Sequence, residues 1–358
     1  MKRQDTLLAS IEKANLDGIL LVKDSNIRYI SGFTGSESYV VVSKRGKAFI
    51  TDSRYTEQAE QECPGFEVVR WRSPFPELEE TIKKVCERFG IKRLGFEKDV
   101  VTYERYEKFR DGFGDDIELV PTSGLVEELR YVKDSSEIEC IRKAAQIADS
   151  AFEELLKSIK PGITEKDIEI ELQYLIKKKG ATDIGFPTIV ASGARGSLPH
   201  AVPSDRRIEC GDFITIDFGA LYNGYRSDCT RTFAVGRADE RQRYIYNIVK
   251  RAQQIGIESL RPRVCGKEPD KNARSIIEEA GFGENFGHGL GHGVGLEIHE
   301  QPFMSSKCDK IIQPGNVVTV EPGIYIPGWG GVRIEDTVLV TENGPEILTK
   351  ITKDLIVI

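Results

Sequence analysis

"GDFITIDFGALYNGYRSDCTRTFAVG", residues 211–236, sets two β-rich runs on either side of Asn223-Gly224. Asn-Gly is the strongest short-range hairpin signal, because both residues tolerate the positive φ that a two-residue turn demands. With these two at the turn, Tyr222 faces Tyr225 and, counting back, Asp217 faces Thr230. Asp228 is then a diagonal neighbour of Asp217 on one face, while Ile214, Ile216 and Phe218 occupy the other. Either aspartate alone reads as a solvated strand residue. Together they are two like charges on one patch of sheet, which is unfavourable unless something positive lies between them. The pair points to a cation site.

A second acidic pair follows in "VVTVEPGIYIPGWGGVRIEDTVLV", residues 317–340. Glu321 interrupts an apolar strand just before Pro322-Gly323, and Glu335 sits in the returning strand between Ile334 and Asp336. Charged residues in such runs are buried only when paired or ligating. Arg333 falls on the same face as Glu335, so a salt bridge accounts for that glutamate but not for Glu321. Between the two acidic pairs lies "FGHGLGHGVGLEIHE", residues 286–300, which holds His288, His292 and His299 among five glycines. The chain has only four histidines, the last being His200 in "SLPHAVPSD". A single histidine beside glycine reads as a turn residue; three grouped histidines point to metal or proton chemistry. Asp217, Asp228, His292, Glu321 and Glu335 supply four carboxylates and one imidazole, a donor set suited to hard divalent ions such as Mn²⁺ or Co²⁺ more than a thiolate-rich zinc site. Four negative charges balance two dications better than one.

Composition bounds the rest. A chain of 358 residues exceeds the size at which one hydrophobic core keeps growing, so two domains are expected. With 39% hydrophobic and 30% charged residues it reads as soluble and globular. The net charge is -7, and no basic block or basic-aromatic ladder appears, which argues against nucleic acid as a partner. Seven cysteines with no C-x-x-C pair suggest neither a disulfide framework nor a zinc knuckle, and fit a reducing, cytoplasmic setting. The N-terminus starts basic but lacks the apolar core of a signal peptide; Leu7, Leu8, Ile11 and Ala14 recur at helical spacing instead. No run reaches the length of a membrane span.

Residues 1–125 alternate helical patterns with short runs such as "GILLV", "YVVVS" and "KAFIT", the pattern of a small α/β domain. A second unit, 126–358, opens on a long helix in which Ser136 and Glu139 have capping-box spacing and which Pro161-Gly162 is expected to end. Another helix is expected from Thr164 as N-cap to Gly180 as stop. All four histidines lie beyond it, so the chemistry belongs to this second unit.

The order and spacing of the five candidate ligands resemble the metallopeptidases of the pita-bread fold, specifically the proline-specific branch of Xaa-Pro aminopeptidase and Xaa-Pro dipeptidase. "LLVKDSNIRYISGFTGS" and "FITDSRYTEQA" are similar to the creatinase-type N-terminal domain of that branch, so the resemblance covers nearly the whole chain. It implies an α/β two-domain protein: a small creatinase-type α/β domain followed by an α+β pita-bread catalytic domain. It also implies two metal ions, Mn²⁺ or Co²⁺ ahead of Zn²⁺, held by Asp217, Asp228, His292, Glu321 and Glu335. Glu321 then doubles as the base that takes the water's proton. His288 and His299 resemble the two histidines that act without ligating, and His200 the one that approaches substrate from across the site. Phe186 and Ile298 resemble pocket residues, although as isolated apolar residues they also read as core. Arg333 is either a group that captures a carboxylate next to proline or the partner of a ligand. The glycines let backbone approach closely. A phosphate-loop reading of "GLGHGVG" fails, since no Gly-Lys-Ser/Thr follows.

The resemblance implies hydrolysis of peptides with proline at the second position, by a cytoplasmic homodimer with no membrane or nucleic-acid partner. Creatinase shares both domains but works without metals, and the retained ligand set argues against it. Methionine aminopeptidase lacks this kind of N-terminal domain. Non-catalytic peptide- or histone-binding modules on the same scaffold have generally lost the ligands. The overall resemblance to the short bacterial-type members implies an enzyme that takes Xaa-Pro-Yaa and longer peptides, with a strict Xaa-Pro dipeptidase as the alternative.

Overall fold

The computed structural model describes residues 2–358, and two compact units meet between Arg130 and Tyr131. The join falls a few residues after the position 125/126 read from the sequence. Its cause is local: Tyr29 donates to the Leu129 carbonyl at 2.9 Å, and the buried Arg130 guanidinium donates to Asn26 Oδ1 at 2.7 Å.

The N-terminal unit is a mixed six-stranded sheet with strands β1 (Gly18–Leu21), β2 (Tyr39–Ser43), β3 (Gly46–Thr51), β4 (Glu67–Arg70), β5 (Arg93–Glu97) and β6 (Glu118–Thr122) in the order 4-3-2-1-5-6. The three quoted apolar runs are β1 to β3. Parallel pairing of β1 with β5, β3 with β4 and β5 with β6 requires crossovers, and helices such as Leu78–Phe89 supply them. That helix buries Leu78, Ile82, Val85 and Cys86 against Leu20, Val41, Ile50 and Leu94.

The C-terminal unit pairs its strands antiparallel throughout the registers described. β7 (Asp183–Ile184), β10 (Ala220–Tyr222) and β11 (Tyr225–Arg226) form one small sheet; β8 (Ile189–Ser192), β9 (Phe213–Phe218) and β12 (Cys229–Ala234) form a second. β13 (Gly291–Gly293), β14 (Glu300–Met304), β15 (Val317–Val320), β18 (Asp336–Thr341) and β19 (Gly344–Ile347) make a five-stranded sheet, and β16 (Gly323–Ile326) with β17 (Gly330–Arg333) a hairpin. The register at Asn223-Gly224 follows the sequence count: Tyr222 pairs with Tyr225 and Asp217 with Thr230. Both turn residues have positive φ, 49° and 83°.

Two hydrophobic clusters carry this unit. Helices Ser135–Leu155 and Glu165–Lys178 bury Ala148, Phe152, Leu172 and Ile176 against Ile214, Ile216 and Phe218 of β9; the Phe152 and Phe218 rings stack 5.0 Å apart. Helices Glu240–Ser259 and Lys267–Glu279 bury Ile245, Val249 and Ile277 against Val318, Val320, Val338 and Val340 of β15 and β18. Because strand side chains alternate, the faces opposite these clusters are free to carry Thr215 and Asp217 on β9 and Thr319 on β15.

Three local expectations are corrected. The long helix is capped by Asp134, which accepts from the Ser136 and Glu137 amides while Glu137 accepts from the Asp134 amide. Ser136 is already inside the first turn, so Glu137, not Glu139, closes the box. The helix also ends at Leu155, ahead of Pro161, where the Lys157 and Ser158 amides switch to tighter three-residue spacing and the Ser158 hydroxyl takes the Leu155 carbonyl at 2.8 Å. Glu335 lies between β17 and β18 rather than within a strand. Thr164 caps its helix as expected, accepting from the Asp167 amide, and no described helix is long and apolar enough to cross a membrane.

Asp149, on the face of the first long helix, offers a stability test. Its Oδ2 accepts from the Lys350 amide at 2.5 Å while its buried Oδ1 has no partner, and burial pushes its pKa up to about 7. A carboxyl raised above its unfolded value stabilises the fold below the unfolded pKa and loses that contribution as pH rises through the folded pKa. Asp149→Asn is therefore expected to gain stability over the parent on going from pH 5 to pH 8, on the order of 2 kcal/mol. Thermal melts of both proteins at the two pH values measure this, and a pH-independent difference contradicts it.

Candidate active site

The antiparallel strands of the C-terminal unit converge on a cavity of about 500 Å³ lined by every candidate site residue: Asp217, Asp228, His292, Glu321 and Glu335, His200, His288 and His299, and Phe186, Ile298 and Arg333. β9 and the residue before β12 bring in Asp217 and Asp228; β13 brings in His292; the breaks after β15 and before β18 bring in Glu321 and Glu335. A strand break frees an acid from the alternation of its neighbours and turns it into the cavity. The Glu321 amide still bonds to the Leu290 carbonyl at 2.8 Å and the Glu335 amide to the Thr230 carbonyl at 3.1 Å, so both turns are fixed.

Asp228, His292 and Glu335 are all buried and each offers a ligand atom within 4.8 Å of the others. His292 Nε2 stands 3.6 Å from Asp228 Oδ2 and 3.4 Å from Glu321 Oε1. Its Nδ1 is 3.1 Å from the Gly293 carbonyl, an acceptor only, so Nδ1 carries the proton and the Nε2 lone pair faces the carboxylates. Burial lowers its pKa to about 4, which keeps the ring neutral and able to ligate.

The carboxylates are held in the opposite sense. Burial, reinforced by Glu335, Asp217 and Glu321, pushes Asp228 well above the usual carboxylate range. Glu335 is raised likewise by burial and then by Glu321 and Asp217, and Glu321 to about 8, chiefly by burial. Asp217 Oδ1 and Glu335 Oε1 are buried and accept no hydrogen bond. Oxygen donors that are buried, mutually repelling and partly unsatisfied, beside a neutral imidazole, fit a divalent cation.

Arg333 does not pair with Glu335. Its Nη2 donates to Asp217 Oδ2 at 2.7 Å and its Nε to Thr230 Oγ1 at 3.1 Å, while the Thr230 hydroxyl donates to Glu335 Oε2 at 2.7 Å. Thr230, opposite Asp217 in the register, thus stands between arginine and glutamate. Arg333 Nη1 donates to Tyr325 at 3.0 Å and to the Pro199 carbonyl at 3.3 Å. His288 Nδ1 lies 2.8 Å from the Gly289 carbonyl, which leaves Nε2 to accept from the Tyr325 hydroxyl at 2.9 Å. His299 is exposed toward the cavity, its ring 4.4 Å from that of His292, and burial lowers its pKa. Phe186 and Ile298 are half-buried on the cavity wall rather than in either core cluster.

Tyr325 and Thr230 escaped the sequence reading. Tyr325 lies on β16 beyond the break at Glu321-Pro322, so no strand period links it to the acid. Thr230 was visible only as the residue opposite Asp217. Lys133, buried and paired with Glu300 at 3.0 Å, supports the loop that carries Ile298 and His299; Glu300 also accepts from the Glu297 amide. Nothing in the local sequence marks that pair.

The model of metallopeptidase family M24 matches residues 139–342, and that of the creatinase/prolidase N-terminal domain residues 3–132. The chain is 41% identical to the Xaa-Pro dipeptidase of Pyrococcus furiosus over 99% of each chain. Among solved structures it is similar to an Xaa-Pro dipeptidase from Bacillus anthracis (TM-score 0.96, 47% identity, 100% of this chain and 99% of that one). It is also similar to an X-Pro aminopeptidase from Thermotoga maritima (TM-score 0.90, 39% identity, 98% and 100%).

Thr230→Val removes the hydroxyl that orients Glu335 without touching a candidate ligand. It is expected to weaken divalent-cation binding roughly 10–100-fold. His299→Ala is expected to leave that affinity unchanged. Titration calorimetry with Mn²⁺ measures both, and equal losses contradict the separation of ligands from the third histidine.

Proposed function

The chain belongs to metallopeptidase family M24, and from that premise we propose that it hydrolyses the bond between an N-terminal residue and a following proline, with two divalent ions, Mn²⁺ or Co²⁺ ahead of Zn²⁺. The observation that carries this reading is the buried cluster Asp228, His292 and Glu335, joined by Asp217 and Glu321 in one cavity. Asp217, Asp228, His292, Glu321 and Glu335 would hold the ions, which when bound would supply Lewis acidity toward the scissile carbonyl and a lowered pKa for water.

The chain's own groups do the rest. Glu321, ionised once the ions are bound, takes the proton of the attacking water. Neutral His299 donates a hydrogen bond to the carbonyl oxygen as charge develops on it, and the proton that Glu321 took from water passes to the leaving nitrogen, directly or relayed through His299. His288 has both ring nitrogens engaged, so its part is to fix Tyr325, which with Arg333 forms one hydrogen-bonded unit against Asp217. His200 approaches from the far wall. Phe186 and Ile298 give an apolar surface for the pyrrolidine ring; a proline nitrogen carries no hydrogen and its φ is fixed, so shape alone can select it.

Among the described residues that line the cavity Arg333 is the only lysine or arginine, and its guanidinium is committed to Asp217, Tyr325, Thr230 and the Pro199 carbonyl. No lysine or arginine on this wall is therefore left to capture a C-terminal carboxylate, which favours Xaa-Pro-Yaa and longer peptides. The second reading is a strict Xaa-Pro dipeptidase, supported by the names of the Pyrococcus and Bacillus relatives. A homodimer goes with the family likeness, and a cytoplasmic setting with seven cysteines that form no disulfide.

Ala-Pro-Ala is expected to be cleaved at least as efficiently as Ala-Pro, and Ala-Ala-Ala roughly 10–100-fold more slowly. All three activities should vanish on chelation and return with Mn²⁺. Comparison of kcat/KM for the series decides it: a strong preference for Ala-Pro assigns the dipeptidase, and full activity in metal-free protein overturns the mechanism.

A further inference from the structure

His200 is exposed and sits on a segment without regular structure, yet it lines the same cavity as the buried ligands. Something must fix that segment, and the contacts that do so meet at one carboxylate. Glu165, in the first turn of helix Glu165–Lys178, is fully buried. Its Oε1 accepts from the Ser192 amide at 2.8 Å and the Ser192 hydroxyl at 2.7 Å; its Oε2 accepts from the Ser204 amide at 3.0 Å and the Ser204 hydroxyl at 2.6 Å. Ser192 ends β8 and Ser204 lies four residues past His200, so one side chain ties together both ends of the loop that carries the histidine.

Arg195 completes the clamp from inside the loop. Its Nε donates to Glu165 Oε2 at 3.0 Å, and its Nη2 reaches across to the Val202 carbonyl at 2.6 Å, bridging the segments before and after His200. At the tip, the Pro199 carbonyl meets Arg333 Nη1. The loop thus has a buried ionic base and one attachment beside Asp217. Such a base costs the desolvation of a carboxylate, compensated here by four hydroxyl and amide donors and a guanidinium.

We propose that Glu165 and Arg195 are positioning residues for the reaction, acting through His200 by holding its loop at the cavity wall. The proposal rests on the catalytic reading of His200 given above. Neither residue touches the cavity, and neither needs to contact substrate or metal. Misplacing a reacting group by about 1 Å can cost on the order of 10²-fold in rate.

The test is a double-mutant cycle on the metal-loaded enzyme with Ala-Pro-Ala. Arg195→Met is the primary variant, since Arg195 is partly exposed and its loss leaves Glu165 four other donors. It is expected to lower kcat roughly 10–100-fold with metal content unchanged. In a His200→Ala background the same change is expected to cost less than about twofold, because the group it positions is gone. Glu165→Gln should show the same coupling. Losses that multiply in the double variant, or an Arg195→Met enzyme with parental turnover, overturn the proposal. Full activity in His200→Ala removes the role of His200 itself and this one with it, whereas absence of hydrolysis by the parent enzyme is a failure of the peptidase reading alone.

Discussion

Four carboxylates gathered around one neutral imidazole in a single cavity set the terms for the rest of the molecule. In water their repulsion would be screened; in this cavity it is screened less, and burial, reinforced by their mutual repulsion, raises Asp228, Glu321 and Glu335 above the ordinary carboxylate range. A fold that accepts this cost must brace each acid separately. Arg333 faces Asp217, Thr230 holds Glu335, Thr319 donates to Glu321 and the Thr337 hydroxyl bonds the Asp228 carbonyl. What remains unsatisfied is one oxygen each of Asp217 and Glu335, the atoms a cation would take.

The architecture meets that constraint by separating apolar from polar work. Two helix-backed clusters absorb alternate side chains of the strands, and the opposite faces and strand breaks carry the acids. Close approach of backbones does the remainder. A Cβ on Gly291 would stand 2.1 Å from the Thr319 carbonyl, and one on Gly293 2.3 Å from that of Gln301, so His292 sits between two positions where only glycine fits. Gly291 and Gly293 are therefore packing requirements of the sheet that presents the ligand.

Much of this was legible in the sequence because it is local or periodic. The Asn223-Gly224 turn fixes the register that joins Asp217 to Thr230, and strand alternation separates the aspartate from Ile216 and Phe218. The acids at Glu321 and Glu335 announced themselves by interrupting apolar runs. Partners chosen across long separations were not legible. Arg333 reaches Asp217 over a separation of 116 residues, and Lys133 reaches Glu300 over 167. The sequence offered Glu335 as the neighbour of Arg333, and tertiary packing placed Thr230 between them. Likewise nothing local marks Glu165, since its four hydroxyl and amide donors come from the end of β8 and a distant loop.

If the cavity is built for cations, its carboxylates must exchange protons for metal. Titration calorimetry of the metal-free protein with Mn²⁺ at pH 7, repeated in buffers of different ionisation enthalpy, counts the protons released on binding. With Glu321 raised to about 8 and Asp228 and Glu335 also raised, the expected result is release of at least one proton per protein. Binding with no proton release, or no binding at all, would contradict the account.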